Sequence, residues 1–258
     1  MDILNLNYAE FERFLFVLFR VGAMIIFVPI LGSKQIPSVM KIGLMLFLSM
    51  AIFPLVQDRP MPEPKGMFEL VKFLMADVTI GLGIAYIARL IFTAVQIAGT
   101  VVDFQMGFGV VNVIDPQTDT QVSVTAQLHN ILAILIFLAL DAHHYIIQAI
   151  VESFFVINPF EINFASITPE YMLHLFTATF TTAIKIAAPI MAILFFLSVG
   201  LGLVARTVPQ MNVFIVGFPL QIGVGLLMVG ISISFFSILV QQEMHTLPEK
   251  FMGFMRGI

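Results

Sequence analysis

"AAPIMAILFFLSVGLGLVARTVPQMNVFIVGFPLQIGVGLLMVGISISFFSILV", residues 187 to 240, is two long apolar runs separated by the short segment Arg206-Thr207-Val208-Pro209-Gln210-Met211-Asn212. Neither run alternates in the manner of a strand, and each is far longer than one, so both read as helices. Arg206 stands where a helix C-terminus favours a cation, and Pro209 prevents the helix from continuing unbent. The stretch is therefore a helical hairpin whose turn is carried by Arg206, Pro209, Gln210 and Asn212.

The rest of the chain has the same character. Of 258 residues 59% are hydrophobic and 11% charged, with a mean hydropathy of +1.02, well above the roughly 45–50% apolar content of soluble domains. Apolar runs between breakers predict helices at roughly 10–31, 39–56, 68–102, 124–157, 171–206 and 213–242, an all-α, membrane-associated chain. The absence of cysteine excludes disulfides and thiolate metal sites, and a formal charge of -4 offers no basic surface to nucleic acid. The start, MDILNLNYAEFERF, carries Asp2, Glu10 and Glu12 rather than a cationic signal-peptide region, so the first helix is expected to be retained.

Charges interrupt the simple picture of six spans. In the first 102 residues the longest charge-free stretch, Ile42 to Gln57, is shorter than the about 20 residues a spanning helix needs. Arg20, Lys72, Asp77 and Arg89 break apolar stretches, and each would cost about 2.5–3.5 kcal/mol at the centre of a lipid-facing helix. They are expected to be held in protein or water. No Lys or Arg occurs from Leu90 through Ile184, so the loops 103–123 and 158–170 both read as non-cytoplasmic. A single crossing between them is then excluded. Either Asp141-Ala142-His143-His144 marks a bend, or these elements stand outside the bilayer in an assembly, which is the preferred reading. Gly81, Gly83, Ala85, Ala88, Ala94, Ala98 and Gly99, and later Gly223, Gly225 and Gly230, are spaced to let helices approach closely; the plain alternative is that Gly is frequent in membrane helices. Beyond Pro248, Phe251, Phe254, Met255 and Ile258 form one apolar face with Lys250 and Arg256 between them, an interfacial or partner-binding helix or else a frayed tail.

Catalytic chemistry finds no foothold. Adjacent His143 and His144 on a helix are expected to point about 100° apart and so not to share a metal, and no H-E-x-x-H, Gly-x-Ser-x-Gly or P-loop occurs. No cofactor, metal or catalytic residue is expected. Asp77, Asp141 and Lys185 leave open a small-solute transporter, against which stands the lack of an evident inverted repeat.

Asp115-Pro116-Gln117 with Gln121, FLALDAHHYIIQAIVESF from Phe137 to Phe154, and ARTVPQMNVFIVGFPLQIGVGL from Ala205 to Leu226 together resemble the FliR family of flagellar export-gate proteins, whose relatives in virulence type III secretion are called SctT. The likeness covers nearly the whole chain. It implies helical hairpins packed in a spiral gate, with a FliP-like part at 1–186 and a FliQ-like hairpin at 187–258. It implies as partners FliP, FliQ, FlhB and FlhA, unfolded flagellar substrates and membrane lipid, and a place in the flagellar basal body at the bacterial inner membrane. It also implies that the loop 105–123 plugs the export channel, through Met106, Gly107, Phe108, Gly109, Val110, Val111 and Asn112, and re-enters helix at Asp115 and Pro116. The residue types agree with that role. Gly107 and Gly109 permit bends and positive φ, and Met106, Phe108, Val110 and Val111 are bulky apolar groups able to fill a narrow pore. An ordinary loop packed on neighbouring helices is the alternative, as is a passive scaffold for gate assembly in which the loop is dispensable.

Overall fold

The computed structural model describes residues 8–33, 35–57, 59, 64–108, 123–157, 169–210 and 212–257. Among them are eight helices and no strand: α1 (Tyr8–Phe27), α2 (Ser38–Val56), α3 (Met67–Met106), α4 (Val124–Ala139), α5 (Ala142–Val156), α6 (Pro169–Thr207), α7 (Val213–His245) and α8 (Leu247–Arg256). The chain divides into two units. One comprises Met1–Leu90, Asp141–Leu175 and His245–Ile258; the other comprises Ile91–Leu140 and Phe176–Met244.

In the first unit α1 buries Val17, Val21, Met24 and Ile25, the i, i+4, i+7, i+8 face of a single helix, and packs against α2. Helix α3 crosses α1 at Gly81, where any Cβ would strike the Arg20 carbonyl oxygen. The charges that interrupt these helices find two different fates. Arg20 donates from Nε to Asp77 Oδ1 at 2.8 Å, makes a second bond from Nη2 to the same oxygen, and donates from Nη1 to Ser153 Oγ at 2.8 Å. Its guanidinium also lies 3.8 Å from the centre of the Phe154 ring. Arg20 and Asp77 are thus buried inside protein as a pair, whereas Lys72 and Arg89 are exposed on α3.

Of the expected C-terminal apolar face, Ile258 lies outside the described residues, and the rest is filled by the chain itself. Leu247, Phe251, Phe254 and Met255 of α8 are buried within the unit, and α8 packs on α5. Phe254 occupies the space a side chain at Gly83 would need, and Tyr171 donates to the Lys250 carbonyl at 2.5 Å. This corrects both expectations for the segment: it is a docked helix of the chain's own core, neither frayed nor offering that face to a partner. Burying the two phenylalanines contributes about 1.5–3 kcal/mol each.

In the second unit α6 and α7 form the expected hairpin. Gln221 Nε2 donates to Ser198 Oγ at 3.0 Å and Thr182 Oγ1 to Glu243 Oε1 at 2.7 Å, while Gly217 faces Leu201. The partners recede from the turn in step, as antiparallel neighbours must. Gly99 lies directly against the Ala126 backbone, joining α3 to α4. Of the small residues singled out by spacing, Gly81, Gly83, Gly99 and Gly225 sit at close approaches, while Gly223 and Gly230 face open space.

The run expected at 124–157 breaks at Asp141, whose φ of 52° is left-handed and ends α4 before α5 begins. Of the two accounts of the acidic middle, the bend is therefore present. Four described stretches are long and apolar enough to cross a membrane, Ser38–Val56, Met67–Met106, Glu170–Thr207 and Ile215–Arg256, and the bent pair α4 and α5 would make a fifth. Helix α1 is not among them, because Glu10, Glu12, Arg13 and Arg20 fall within its single length.

Candidate functional site

The loop expected from Gln105 starts later, because Gln105 and Met106 belong to the last turn of α3, and the stop that follows them is built from backbone geometry. Gly107 has φ of 90°. Its N–H bonds to the Phe104 carbonyl at 3.2 Å, and the Phe108 N–H reaches back to the Asp103 carbonyl at 3.1 Å. This pair of bonds is the Schellman arrangement, which satisfies the last carbonyls of a helix and requires a left-handed residue that glycine supplies without strain. Positive φ at Gly107 was expected; here it serves as a fixed helix terminus.

Both flanks of that glycine are held by α7. Met106 is fully buried and fits a notch at Gly225, where a Cβ would lie 2.6 Å from Met106 Cγ. The Phe218 ring covers Gly107, its Cδ1 2.7 Å from where a Cβ would stand. The start of the loop is therefore seated on the C-terminal hairpin. Phe104 points outward at 64% exposure, and Gln105 and Phe108 are half-buried.

On the far side of the loop, Ser123 caps α4. Its Oγ accepts from the Ala126 N–H at 3.0 Å, the arrangement that satisfies an orphan donor at a helix start. The same hydroxyl donates to Asp103 Oδ2 at 2.5 Å. Asp103, 5% exposed, also accepts from the Thr125 N–H at 3.2 and 3.3 Å and from Thr125 Oγ1. A buried carboxylate at a helix N-terminus is favoured by the unpaired N–H groups and the dipole there. His129 bonds the Thr125 carbonyl through Nδ1 at 2.9 Å and lies against Phe236, the rings tilted by 54° with centres 4.9 Å apart. One aspartate in the last turn of α3 thus ties that turn to the first turn of α4. Asp103 lies twenty residues from Ser123 in sequence, and no local signal links the two.

Of the residues assigned to the loop, Gly109, Val110, Val111 and Asn112, and the turn residues Asp115 and Pro116, lie outside the described residues. At the hairpin turn, Arg206, Pro209, Gln210 and Asn212 are all exposed. The Val208 N–H bonds the Val204 carbonyl at 2.9 Å to close α6, and the Ile215 N–H bonds the Asn212 carbonyl at 3.1 Å as α7 begins. The ionisable residues considered for transport are dispersed in character. Asp77 is engaged by Arg20, whereas Asp141 and Lys185 are exposed.

Residues 11–247 match the family described as bacterial export proteins, family 1. The chain is 37% identical to the flagellar biosynthetic protein FliR of Bacillus subtilis (strain 168) across 90% of each chain. It is 29% identical to FliR of Aquifex aeolicus (strain VF5), covering 95% of this chain and 96% of that one. Similarity extends to the Yop proteins translocation protein T of Yersinia pestis, 27% identical over 78% of each. With nearly its whole length matched, this chain belongs to the FliR family of bacterial export proteins.

Proposed function

We propose that this chain is a core, non-enzymatic subunit of the flagellar type III protein export gate, embedded in the bacterial inner membrane at the flagellar basal body. It joins FliP and FliQ in lining a protein-conducting channel and works beside FlhA and FlhB, which supply the energy coupling its own residues lack. The loop that follows α3, residues 107–123, closes the channel to water and ions by placing apolar side chains across it, and unfolded export substrates displace it. By ancestry residues 1–186 are the FliP-like part and 187–258 the FliQ-like hairpin.

The observation that carries this reading is the similarity to FliR of Bacillus subtilis over 90% of each chain. The seating of Met106 and Gly107 against Gly225 and Phe218 supports the loop assignment, because a seal needs one firmly held end from which the rest can yield. Deleting Gly107 to Asn112 in cells that also express FliP- and FliQ-type partners should let small ions or solutes leak across the membrane, with the complex still co-purifying. An intact complex that leaks no more than the unaltered one would remove the plug role and leave a scaffold.

A further inference from the structure

The bend between α4 and α5 carries a cluster that export by displacement of a loop does not use. Asp141 occupies the N-cap position of α5, yet its left-handed backbone leaves its carboxylate making no capping bond to the helix. An aspartate there ordinarily accepts from the N–H groups of the first turn. Instead Oδ1 lies 4.0 Å from His143 Nε2 and 3.9 Å from His144 Nδ1. The two imidazoles, expected from their adjacency to diverge, tilt together with ring centres 4.2 Å apart. One ligand atom from each of the three residues falls within 4.8 Å of the others.

We propose that Asp141, His143 and His144 form a binding site for a divalent transition-metal ion. Metal–ligand bonds of about 2.0–2.2 Å to imidazole nitrogen and carboxylate oxygen set neighbouring ligand atoms roughly 3.0–3.5 Å apart. The carboxylate–imidazole separations of 3.9 and 4.0 Å and a largest separation within 4.8 Å exceed the upper end of that range by about 0.4–1.3 Å, a closure that side-chain rotation supplies. Such rotation is available because the side chains are 72%, 40% and 67% exposed in sequence order. Two imidazoles and one carboxylate select zinc, nickel or copper over magnesium or calcium, which prefer all-oxygen shells. Solvent completes the coordination. All three ligands come from four consecutive residues that include the left-handed one, so the ion ties the backbone of Asp141 to the first turn of α5 and stiffens the break.

The test uses the full-length chain with a histidine-free affinity tag, purified in detergent and stripped with chelator. Titration with zinc chloride by calorimetry should show one saturable equivalent. Copper(II), which such sites bind most tightly, should give an electron paramagnetic resonance spectrum split by two nitrogens. His144→Asn, at an exposed position where the fold tolerates change, should weaken zinc binding by at least about tenfold and remove one nitrogen from the copper spectrum. A His174→Asn, His245→Asn variant should bind as the unaltered chain does. Absence of saturable binding, or binding that survives the combined His143→Asn, His144→Asn change, would overturn the site.

Discussion

Helix α3 and the α6–α7 hairpin are comparably apolar and each long enough to cross a bilayer, yet they are used differently. Within the most apolar window of α3, 61% is buried by the chain itself; within those of Glu170–Thr207 and Ile215–Arg256, only 22% is. On α3 the glycines at 81, 83 and 99 are close approaches, whereas on the hairpin those at 200, 202, 223 and 230 face open space. Along α3 the inward positions mix small residues, Ala76, Gly81, Ala85, Ala88, Ala94, Ala98 and Gly99, which let other backbones come close, with the larger Ile80, Ile84, Ile87, Ile91, Phe92 and Val95. On the hairpin Phe195, Phe196, Leu203, Ile215, Leu227 and Ile231 project outward. Uncovered apolar surface of this extent belongs against lipid or neighbouring subunits. Hydropathy identifies both as membrane material, and the close approaches at Gly81, Gly83 and Gly99 distinguish the helix that the chain covers itself from the helices that face its surroundings.

The comparison breaks most sharply at the buried pair. Arg20→Leu or Asp77→Leu alone should destabilise the chain by about 3–5 kcal/mol, because each leaves an uncompensated buried charge. The double substitution should recover much of that loss, and unfolding of the purified chain in mixed detergent micelles would measure both. If the single variants unfold like the parent, the first unit is not organised around Arg20, Asp77 and Ser153.

Next in size are the glycine contacts. Gly225→Val should cost about 1–3 kcal/mol by overpacking Met106, and Met106→Ala should partly relieve it. Gly230→Ala, on the same helix but facing open space, should be neutral or stabilising by up to about 1 kcal/mol. Equal penalties at the two positions would erase the distinction between covered and uncovered faces. Asp103→Asn, which keeps the shape and removes the charge, should cost about 1–3 kcal/mol and increase proteolytic cleavage between α3 and α4. Smallest of all, Phe196→Ala should shift the chain's own unfolding by no more than about 0.5 kcal/mol, while reducing its co-purification with FliP- and FliQ-type subunits. A large loss of intrinsic stability there would mean that the hairpin surface is part of the chain's own core.

Local signals were readable where the physics is local. The hairpin turn at Arg206 and Pro209, the left-handed glycine at 107 and the start of α4 each depend on a few consecutive residues, and each lies where its residue types require. Helix bounds differ from the sequence reading by only a few residues for α2, α3, α6 and α7, because long apolar periodicity leaves little freedom. Three features were not readable. Arg20 meets partners 57 and 133 positions away, α8 docks on a glycine far upstream, and the rings of two adjacent histidines converge.

By itself the sequence determined that this chain is helical, apolar, free of thiol chemistry and punctuated at definite points, since composition, periodicity and turn chemistry act over neighbouring residues. Only the tertiary structure decided which charges are neutralised, which glycines are contacts and which are merely exposed, and that the C-terminal helix belongs to the core. Those outcomes depend on which distant surfaces meet, and burial then fixes whether a charge must be paired or a missing Cβ becomes a place for another helix.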